Sequence, residues 1–274
     1  MNISEIKNIL EECEIAPLKR FGQHFLIDAN VAGKIVNSME LTAADKVLEI
    51  GGGLGALTSV ILNKGCSLEV CEIDRKISDI LEARFSSDKN FNLIRGNFLD
   101  YKFCVRDKEK YKIISNLPYY LTSSIIFTLM EARGCISEAV LVMQKEMAER
   151  IVAKPATPEY GAITVKINLF CSVRKLFDIS KNVFYPRPEV ESAAVKFVFP
   201  EKPNYYVEDM ALFDLMLKKG FSQRRKQFRK ILAEVGRGTD PVGILSGIGL
   251  DRTARIEELE TGDIVKIANC LKGK

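Results

Sequence analysis

The sequence predicts an α/β protein in which a parallel sheet carries helices on both faces, followed by a smaller helical part. Short apolar runs typical of buried strands alternate with helical patterns over about residues 28–180. A glycine-rich turn follows the first of these strands, which is where open α/β sheets bind nucleotides. Pro200 and Pro203 then mark a boundary, and residues 204–274 have a wholly helical pattern. This order is typical of a doubly wound sheet joined to a helical domain.

The elements follow one another along the chain as alternating strands and helices. Asp28 is placed to cap a first helix, because apolar residues recur after it at helical spacing. The predicted strands are KVLEI (46–50), SLEVCEID (67–74), NFNLIRG (90–96), YKIIS (111–115) and EAVLVMQ (138–144). Helices are predicted over residues 56–63, 75–86, 122–131 and 160–170. The last two runs, 173–180 and 190–199, predict a closing antiparallel hairpin with a partly alternating apolar set of Val190, Val195, Phe197 and Phe199.

Composition indicates a soluble globular protein. Of the 274 residues, 47% are hydrophobic and 28% are charged, which is too apolar for a disordered chain. No apolar run reaches the roughly 18 residues of a membrane helix, and the N-terminus shows no secretory signal. The seven cysteines contain no C-x-x-C pair, and His24 is the single histidine, which argues against a zinc site. We therefore expect a cytoplasmic protein that holds no metal.

The turn EIGGGLGALT (49–58) is the candidate cofactor site. Its backbone can approach a ligand closely at three positions without a Cβ, namely Gly51, Gly53 and Gly55. Glu72 lies 21 residues after Gly51 at the end of the second strand, where a carboxylate can accept both ribose hydroxyls. Asp74 points the same way on a strand and is the competing candidate. Asn97 ends the third strand and could bind an adenine edge. These residues predict an adenosine ligand without separating a nicotinamide cofactor from S-adenosylmethionine.

The motif Asn116-Leu117-Pro118-Tyr119, directly after the fourth strand, distinguishes S-adenosylmethionine from a nicotinamide cofactor. An adenine amino nitrogen is a poor nucleophile, because its lone pair is delocalised into the ring. The Asn116 side-chain oxygen and the Leu117 carbonyl could accept its two hydrogens and draw the nitrogen toward tetrahedral geometry. Pro118 stiffens the turn and keeps Leu117 out of a helix. Tyr119 offers a ring on which the base can stack. The motif thus predicts methyl transfer to an adenine amino group.

Phe184 is the second candidate for holding the base. It lies in NVFYPRPE (182–189), a loop that two prolines stiffen. A rigidly held aromatic ring could sandwich a flipped base against Tyr119. The alternative is that Phe184 only fills core space.

With these residues in place, the chain resembles the small-subunit rRNA adenine dimethyltransferases, the family whose loss gives kasugamycin resistance in bacteria. The resemblance covers about residues 17–270 and rests on motifs in the same order: FGQHFL (21–26), EIGGGLGALT, the Glu72 segment, NLPYYLTSS (116–124), QKE (144–146), EYG (159–161), FYPRPEVES (184–192) and FSQRRK (221–226). It implies a class I (Rossmann-like) S-adenosylmethionine-dependent methyltransferase with a mostly parallel seven-stranded sheet and a small all-helical C-terminal domain. The catalytic domain would span 1–200, with 1–27 as a lid at the cofactor entrance, and an RNA-binding domain would span 201–274.

The resemblance also implies a reaction and its site. The target would be two adjacent adenosines in the 3′-terminal hairpin loop of 16S rRNA, each dimethylated during small-subunit biogenesis. The catalytic set would be Asn116, Leu117, Pro118, Tyr119 and Phe184. The cofactor contacts would be Gln23, His24, Leu26, Gly51, Gly53, Glu72, Ile73, Asn97, Phe98 and Asn116.

This chain departs from the family at three of the matched positions. His24 stands where the family usually has Asn, and an imidazole can still donate one hydrogen bond to the cofactor. Alternatively, His24 is a surface residue beside a helix. Asn97 stands where Asp is usual and keeps an acceptor for the adenine amino group. Gly52 is often Pro in relatives, which reduces the rigidity of the turn.

Residues 218–230 predict the RNA contact. The net charge is only 40 − 36 = +4, but this segment holds seven basic residues and no acid. If it is helical, its basic residues cover a broad face while Phe221, Phe228 and Ile231 anchor the inner side. Lys19 and Arg20 could extend the basic surface. The predicted RNA-binding residues are Lys218, Lys219, Arg224, Arg225, Lys226 and Arg229.

Three other functions remain open. A macrolide-resistance dimethyltransferase of 23S rRNA shares the cofactor turn and an Asn-Pro-aromatic motif, although Gly247–Asp251 followed by Arg255 favours the small-subunit branch. A non-catalytic ribosome-assembly factor would not need the Asn116–Tyr119 motif. A nicotinamide dehydrogenase would explain the glycines alone. A monomer is the simplest expectation for the oligomeric state.

Overall fold

The structure is a computed structural model that describes residues 3–12, 24–103, 110–236 and 238–272. The helices are α1 (Ile3–Glu12), α2 (Ala29–Asn37), α3 (Ala56–Leu62), α4 (Arg75–Phe85), α5 (Thr122–Glu131), α6 (Lys145–Ile151), α7 (Ala162–Phe170), α8 (Met210–Ser222), α9 (Phe228–Val235), α10 (Pro241–Gly247) and α11 (Thr261–Lys272). The strands are β1 (Phe25–Leu26), β2 (Lys46–Ile50), β3 (Ser67–Glu72), β4 (Phe91–Arg95), β5 (Tyr111–Asn116), β6 (Ile136–Gln144), β7 (Ser172–Ile179), β8 (Phe184–Tyr185) and β9 (Ser192–Val198).

The described residues form a seven-stranded sheet in the order β4-β3-β2-β5-β6-β9-β7. The pairs from β4 to β6 are parallel, whereas β9 runs antiparallel to β6. The central strands are apolar along most of their length and covered on both faces, as parallel sheets require. The mostly parallel seven-stranded sheet predicted from the sequence is therefore confirmed.

A second, two-stranded ladder connects parts of the chain that are far apart in sequence. β1 pairs antiparallel with β8, so that Phe25 lies opposite Tyr185 and Leu26 opposite Phe184. The Ile27 amide also donates to the Val183 carbonyl at 2.9 Å. This ladder places the segment after His24 beside the proline-containing loop.

The first part of the chain differs from the sequence prediction in several details. α1 was not predicted, although Ile6 and Leu10 are buried in the main apolar cluster and lie four residues apart on one helix face. β6 begins two residues earlier than predicted. Val190 precedes β9 and is 44% exposed, so its place in the alternating core set was wrong. Val195 and Phe197 are buried as predicted.

The described chain divides into two compact units. The first comprises the residues up to Ala148 together with Val173–Phe199, and the second comprises Glu149–Ser172 together with the residues from Pro200 onward. The sequence had placed the first domain's end at residue 200 and counted 149–172 within it. The structure groups this segment with the C-terminal helices, because Val165 and Leu169 of α7 pack in the same apolar cluster as Phe213 and Phe228.

The basic segment 218–230 is not one helix. α8 ends at Ser222 and α9 begins at Phe228, so Arg224, Arg225 and Lys226 lie in the intervening turn. Residues 222–227 are all polar, and a continued helix would have brought charges onto its buried side. Phe228 and Ile231 are buried anchors as predicted. In the part of the chain that the structure describes, we find no helix long and apolar enough to cross a membrane.

Candidate active site

One pocket lies at the carboxyl ends of four neighbouring parallel strands of the first unit. Because all four strands point the same way, the residues that follow them meet at one edge of the sheet. Of the residues predicted from the sequence, the pocket wall contains His24, Leu26, Gly51, Gly53, Glu72, Ile73, Asn97, Phe98, Asn116, Leu117, Pro118 and Tyr119. Residues from distant parts of the chain are therefore brought into one site.

The glycine turn between β2 and α3 needs residues without a side chain. Gly51, Gly53 and Gly55 have φ angles of 74°, 51° and 83°, a region that L-residues with a Cβ rarely adopt. The turn also aims an amide at the pocket wall, since the Gly53 N–H donates to Glu72 Oε2 at 3.2 Å.

Glu72 and Asp74, which the sequence left as alternatives, have different roles in the fold. Glu72 is 6% exposed at the end of β3, and its Oε1 accepts the Asp74 amide at 3.0 Å. Burial raises the pKa of Glu72, while the backbone amides of Asp74 and Gly53 oppose that shift. The Asp74 carboxylate instead caps α4 by accepting the amides of Lys76 and Ile77. Of these two acids, Glu72 is therefore the one that lines the pocket.

The Asn97 amide is held in a defined orientation. Its Oδ1 accepts the Leu99 amide at 3.1 Å and caps a short 3₁₀ turn over Phe98–Asp100. Among the described residues, its NH₂ group makes no hydrogen bond. The Asn97 side chain therefore offers a ligand its NH₂ donor. The sequence analysis had instead expected its oxygen to accept from the adenine amino group.

Asn116 is the last residue of β5, and its side chain is fixed by a residue far away in sequence. Its Nδ2 donates to the His24 backbone carbonyl at 2.9 Å. Since only the NH₂ group can donate to a carbonyl, this bond sets which way the amide faces. The Asn116 oxygen has no hydrogen-bond partner in the part of the chain that the structure describes.

Leu117, Pro118 and Tyr119 continue the wall of the pocket. The Leu117 amide donates to the Val142 carbonyl at 3.0 Å, and no described group donates to the Leu117 carbonyl. The Tyr119 hydroxyl bonds Ser192 Oγ at 2.8 Å, and burial raises its pKa, so the phenol stays neutral. Two acceptor oxygens and one aromatic ring are therefore left for a ligand.

His24 lies against this motif and is not a detached surface residue. Its Nδ1 donates to the Pro186 carbonyl at 2.7 Å, and its ring centroid lies 5.5 Å from that of Tyr119. The expected hydrogen bond to the cofactor from this side chain would therefore have to involve Nε2.

Two of the predicted site residues, Phe184 and Gln23, are not among the described residues that line the pocket. Phe184 is 3% exposed, belongs to the main apolar cluster with Leu26 and is not part of the pocket wall. Gln23 lies outside the described residues, as do Lys19 and Arg20.

The sequence interpretation missed Glu49. Its side chain lines the pocket, is 1% exposed and accepts the Thr58 hydroxyl at 2.7 Å. Burial raises the pKa of Glu49 to about 8, and the nearby Glu72 carboxylate also raises it. The signal was present in the sequence, because the strand KVLEI carries one acid between the apolar residues Leu48 and Ile50, directly before the glycine turn.

The predicted RNA-binding side chains of the second unit have different partners. Arg224 bonds Glu257 at 2.8 Å and the carbonyls of Thr157 and Pro158. Lys226 and Lys219 lie 2.6 and 3.7 Å from Glu234. Arg229 bonds the Gln227 side chain. Among the described residues, Lys218 and Arg225 are exposed and form no ion pair or hydrogen bond.

The sheet order, the pocket at the strand ends and the glycine turn define the class I methyltransferase fold. Within this class, the chain matches the family model described as Ribosomal RNA adenine dimethylase over residues 18–273 and belongs to that family.

Curated relatives and solved structures agree with this family. A Ribosomal RNA small subunit methyltransferase A of Syntrophus aciditrophicus (strain SB) is 36% identical, covering 97% of this chain and 98% of the relative. A protein of the same name from Borrelia garinii subsp. bavariensis is 40% identical, over 84% of this chain and 80% of the relative. The crystal structure of a dimethyladenosine transferase from Plasmodium falciparum is 25% identical with a TM-score of 0.76, covering 89% of this chain and 96% of that one. The 23S rRNA methyltransferase ErmE, at 22% identity and TM-score 0.72 over 90% and 99% of the two chains, shares the fold.

Proposed function

We propose that the chain uses S-adenosylmethionine to dimethylate the amino groups of two adjacent adenosines in the 3′-terminal hairpin loop of 16S rRNA during small-subunit biogenesis. Membership of the rRNA adenine dimethylase family and relatives named for the small subunit support this function. The single observation that carries the chemistry is a pair of acceptors at the end of β5, the Asn116 oxygen and the Leu117 carbonyl, to which no group of the described residues donates.

The pocket suits an adenosine ligand. The positive-φ glycine turn allows close approach of a ligand to the backbone, and Glu72 on the pocket wall provides a carboxylate that can accept ribose hydroxyls. Asn97 has an NH₂ donor available for a ring nitrogen of adenine. When bound, S-adenosylmethionine supplies an electrophilic methyl group, and His24, Leu26, Gly51, Gly53, Ile73, Phe98 and Asn116 complete its contacts.

The protein residues then position the nucleophile. The Asn116 oxygen and the Leu117 carbonyl accept the two hydrogens of the target amine, which localises its lone pair. Pro118 keeps the Leu117 carbonyl out of a helix. Tyr119 stacks on the base, and Phe184 stacks on its other face, which requires the Phe184 ring to be uncovered as the base enters. Catalysis consists of alignment and proximity.

The second unit binds the RNA backbone in this proposal. Lys218 and Arg225 contact phosphates directly, while Lys219, Arg224, Lys226 and Arg229 exchange their intramolecular partners for phosphate oxygens. We propose that the segment 1–27, of which residues 1–2 and 13–23 lie outside the described residues, serves as a lid at the cofactor entrance. We further propose that the protein is a cytoplasmic monomer that acts on the immature small subunit.

Labelled methyl transfer tests the proposed function. Undermethylated small subunits and purified large subunits are incubated in parallel with the labelled donor, and the modified nucleotides are mapped. We expect label only in the small subunit, on two adjacent adenosines. Label in 23S rRNA would indicate the other dimethyltransferase type, and binding of subunits without transfer would indicate an assembly factor.

A further inference from the structure

Glu49 is a buried acid on the wall of a pocket that we assign to a cationic ligand. Its carboxyl is 1% exposed and accepts a hydrogen bond from the Thr58 hydroxyl at 2.7 Å. The neighbouring charged group is Glu72, which carries the same sign. Two carboxylates of one sign in a desolvated pocket disfavour each other's ionisation, so one of them holds a proton while no cation is present.

We propose that Glu49 is neutral in the free protein and gives up its proton when the methyl donor binds, so that the site recognises the donor by its positive charge. The inference rests on the proposed function, since it needs S-adenosylmethionine as the ligand. The Glu49 O–H bond breaks, the proton leaves to solvent, and the carboxylate that remains is balanced by the positive charge of the donor.

The charges on the pocket wall explain why Glu49 releases a proton, and does not take one up, when the donor binds. Burial and Glu72 hold the pKa of Glu49 at about 8, so about nine-tenths of the carboxyl is protonated at about pH 7. A sulfonium or an ammonium group entering the pocket stabilises the ionised form and lowers that pKa. About one proton is then released for each donor bound at this pH, and almost none at about pH 9.5, where Glu49 is already ionised.

Other titratable groups also line the pocket and have to be considered as sources of the released protons. Burial raises the pKa of Cys71 to about 11 and raises that of Tyr119, so neither ionises near neutral pH. Burial also raises the pKa of Glu72, and the two backbone amides that its carboxylate accepts oppose that shift. His24 lines the same pocket, so the variant His24→Asn is measured as a control.

Calorimetric titration measures the released protons directly. The donor is titrated into the protein at one pH in buffers of different ionisation enthalpy, and the dependence of the heat on that enthalpy gives the number of protons released. Repeating the titration from about pH 7 to about pH 9.5 tests the expected decline. The donor's own amino group can take up a proton, so Glu49→Gln and His24→Asn are measured alongside the parent.

We expect the parent and His24→Asn to release about one proton more than Glu49→Gln near pH 7. Glutamine can still accept the Thr58 hydroxyl, and a thermal melt of the variant checks that it folds. If Glu49→Gln releases as many protons as the parent, or if His24→Asn alone abolishes the release, the proposal is wrong. The pH dependence of the parent tests the idea without any variant, since constant release from about pH 7 to 9.5 also contradicts it.

Three ligands identify the cation that is recognised. S-adenosylmethionine carries a sulfonium and an ammonium, S-adenosylhomocysteine carries only the ammonium, and 5′-methylthioadenosine carries neither. If protons are released with S-adenosylmethionine alone, the recognised cation is the sulfonium. If they are released with S-adenosylmethionine and with S-adenosylhomocysteine, it is the ammonium. Either result supports the proposal. Release with 5′-methylthioadenosine overturns it. If none of the three binds, the proposed function fails; if they bind without proton release, only the inference about Glu49 fails.

Discussion

At the scale of single residues, the orientation of one amide decides what the pocket can do. The Asn116 side chain donates to the His24 carbonyl, and this bond leaves its oxygen available to a ligand. Beside it, the Leu117 carbonyl is held outside any helix or strand. A pair of acceptors at this position suits an amine with two hydrogens.

Replacing Asn116 should therefore separate transfer from binding. We expect Asn116→Ala to reduce methyl transfer by at least about a hundredfold, because one of two positioned acceptors is lost. Donor binding, measured by calorimetry, should stay within a few-fold, since Glu72 and the glycine turn remain. Gly134→Ala, at an open position outside the pocket, serves as the control. Turnover at the parent rate would remove Asn116 from the proposed mechanism.

Phe184 has two possible roles that a matched pair of variants distinguishes. Phe184→Leu preserves most of the buried volume, whereas Phe184→Ala leaves a cavity and should cost about 3–5 kcal/mol of stability. If the ring stacks on the base, both variants slow transfer, and the second methylation suffers most because the monomethylated base must be held again. Rates are compared at a temperature where both variants are folded. A Phe184→Leu variant with normal rates for both methylations would assign the residue to the core alone.

At the scale of elements, the turn between β2 and α3 depends on backbone conformation. Gly51 has a φ of 74°, and a Cβ added there would meet no atom within 4 Å, so conformation alone limits substitution. We expect Gly51→Ala to lose about 1–2 kcal/mol of stability. Donor affinity should fall roughly tenfold, because relaxation of the turn displaces the pocket wall. Gly134→Ala, which has no positive φ, should change neither quantity in the same melts and titrations.

The cations of α8 and of the turn that follows it differ in whether they have an acidic partner. Lys218 on α8 and Arg225 in the turn are the two predicted RNA-binding residues that are exposed and unpaired within the described chain. Arg224, Lys226 and Lys219 are instead close to Glu257 or Glu234. The unpaired cations should therefore contribute most to binding, because they lose no ion pair when a phosphate arrives.

Salt dependence of binding to small subunits tests this difference. We expect the double variant Lys218→Gln and Arg225→Gln to reduce the slope of log K against log salt by roughly two, one for each phosphate contact. Lys64→Gln, an exposed lysine of the first unit with no ion pair among the described residues, should leave the slope unchanged. If the parent shows no salt dependence, the segment 218–230 is not the RNA contact.

At the scale of the whole molecule, the raised pKa of the buried Glu49 makes the stability of the folded protein depend on pH. Glu49 has a pKa of about 8 in the folded protein and an ordinary value of 4.5. Its folded pKa is raised, so its contribution is greatest below about pH 4.5 and is lost as the pH rises toward 8. Between about pH 4.5 and about pH 8, the unfolded chain ionises Glu49 more easily than the folded protein does, and this difference lowers the free energy of unfolding.

Thermal melts of parent and Glu49→Gln across pH should show this loss. We expect the variant to gain stability relative to the parent as the pH rises from about 5 to about 8, with a constant difference above that. Comparing the two proteins at each pH cancels the titration of all other groups. A difference in Tm that does not change with pH would mean that Glu49 ionises normally in the free protein.

The sequence by itself determined the elements and the motifs of this protein. The alternation of strands and helices, the glycine turn, the acids at the end of the second strand and the Asn116–Tyr119 motif are local patterns, and local patterns follow from periodicity, turn chemistry and residue type. The mostly parallel character of the sheet was also predictable, because repeated βα units give parallel strands.

Only the tertiary structure decided which residues meet. The bond from Asn116 to His24 spans 92 residues, and the bond from Arg224 to Glu257 spans 33. The choice of Glu72 over Asp74, the grouping of α7 with the C-terminal helices and the protonation of Glu49 all depend on what packs against each side chain. Burial and hydrogen-bond partners arise from contacts between distant segments, and no local pattern carries that information.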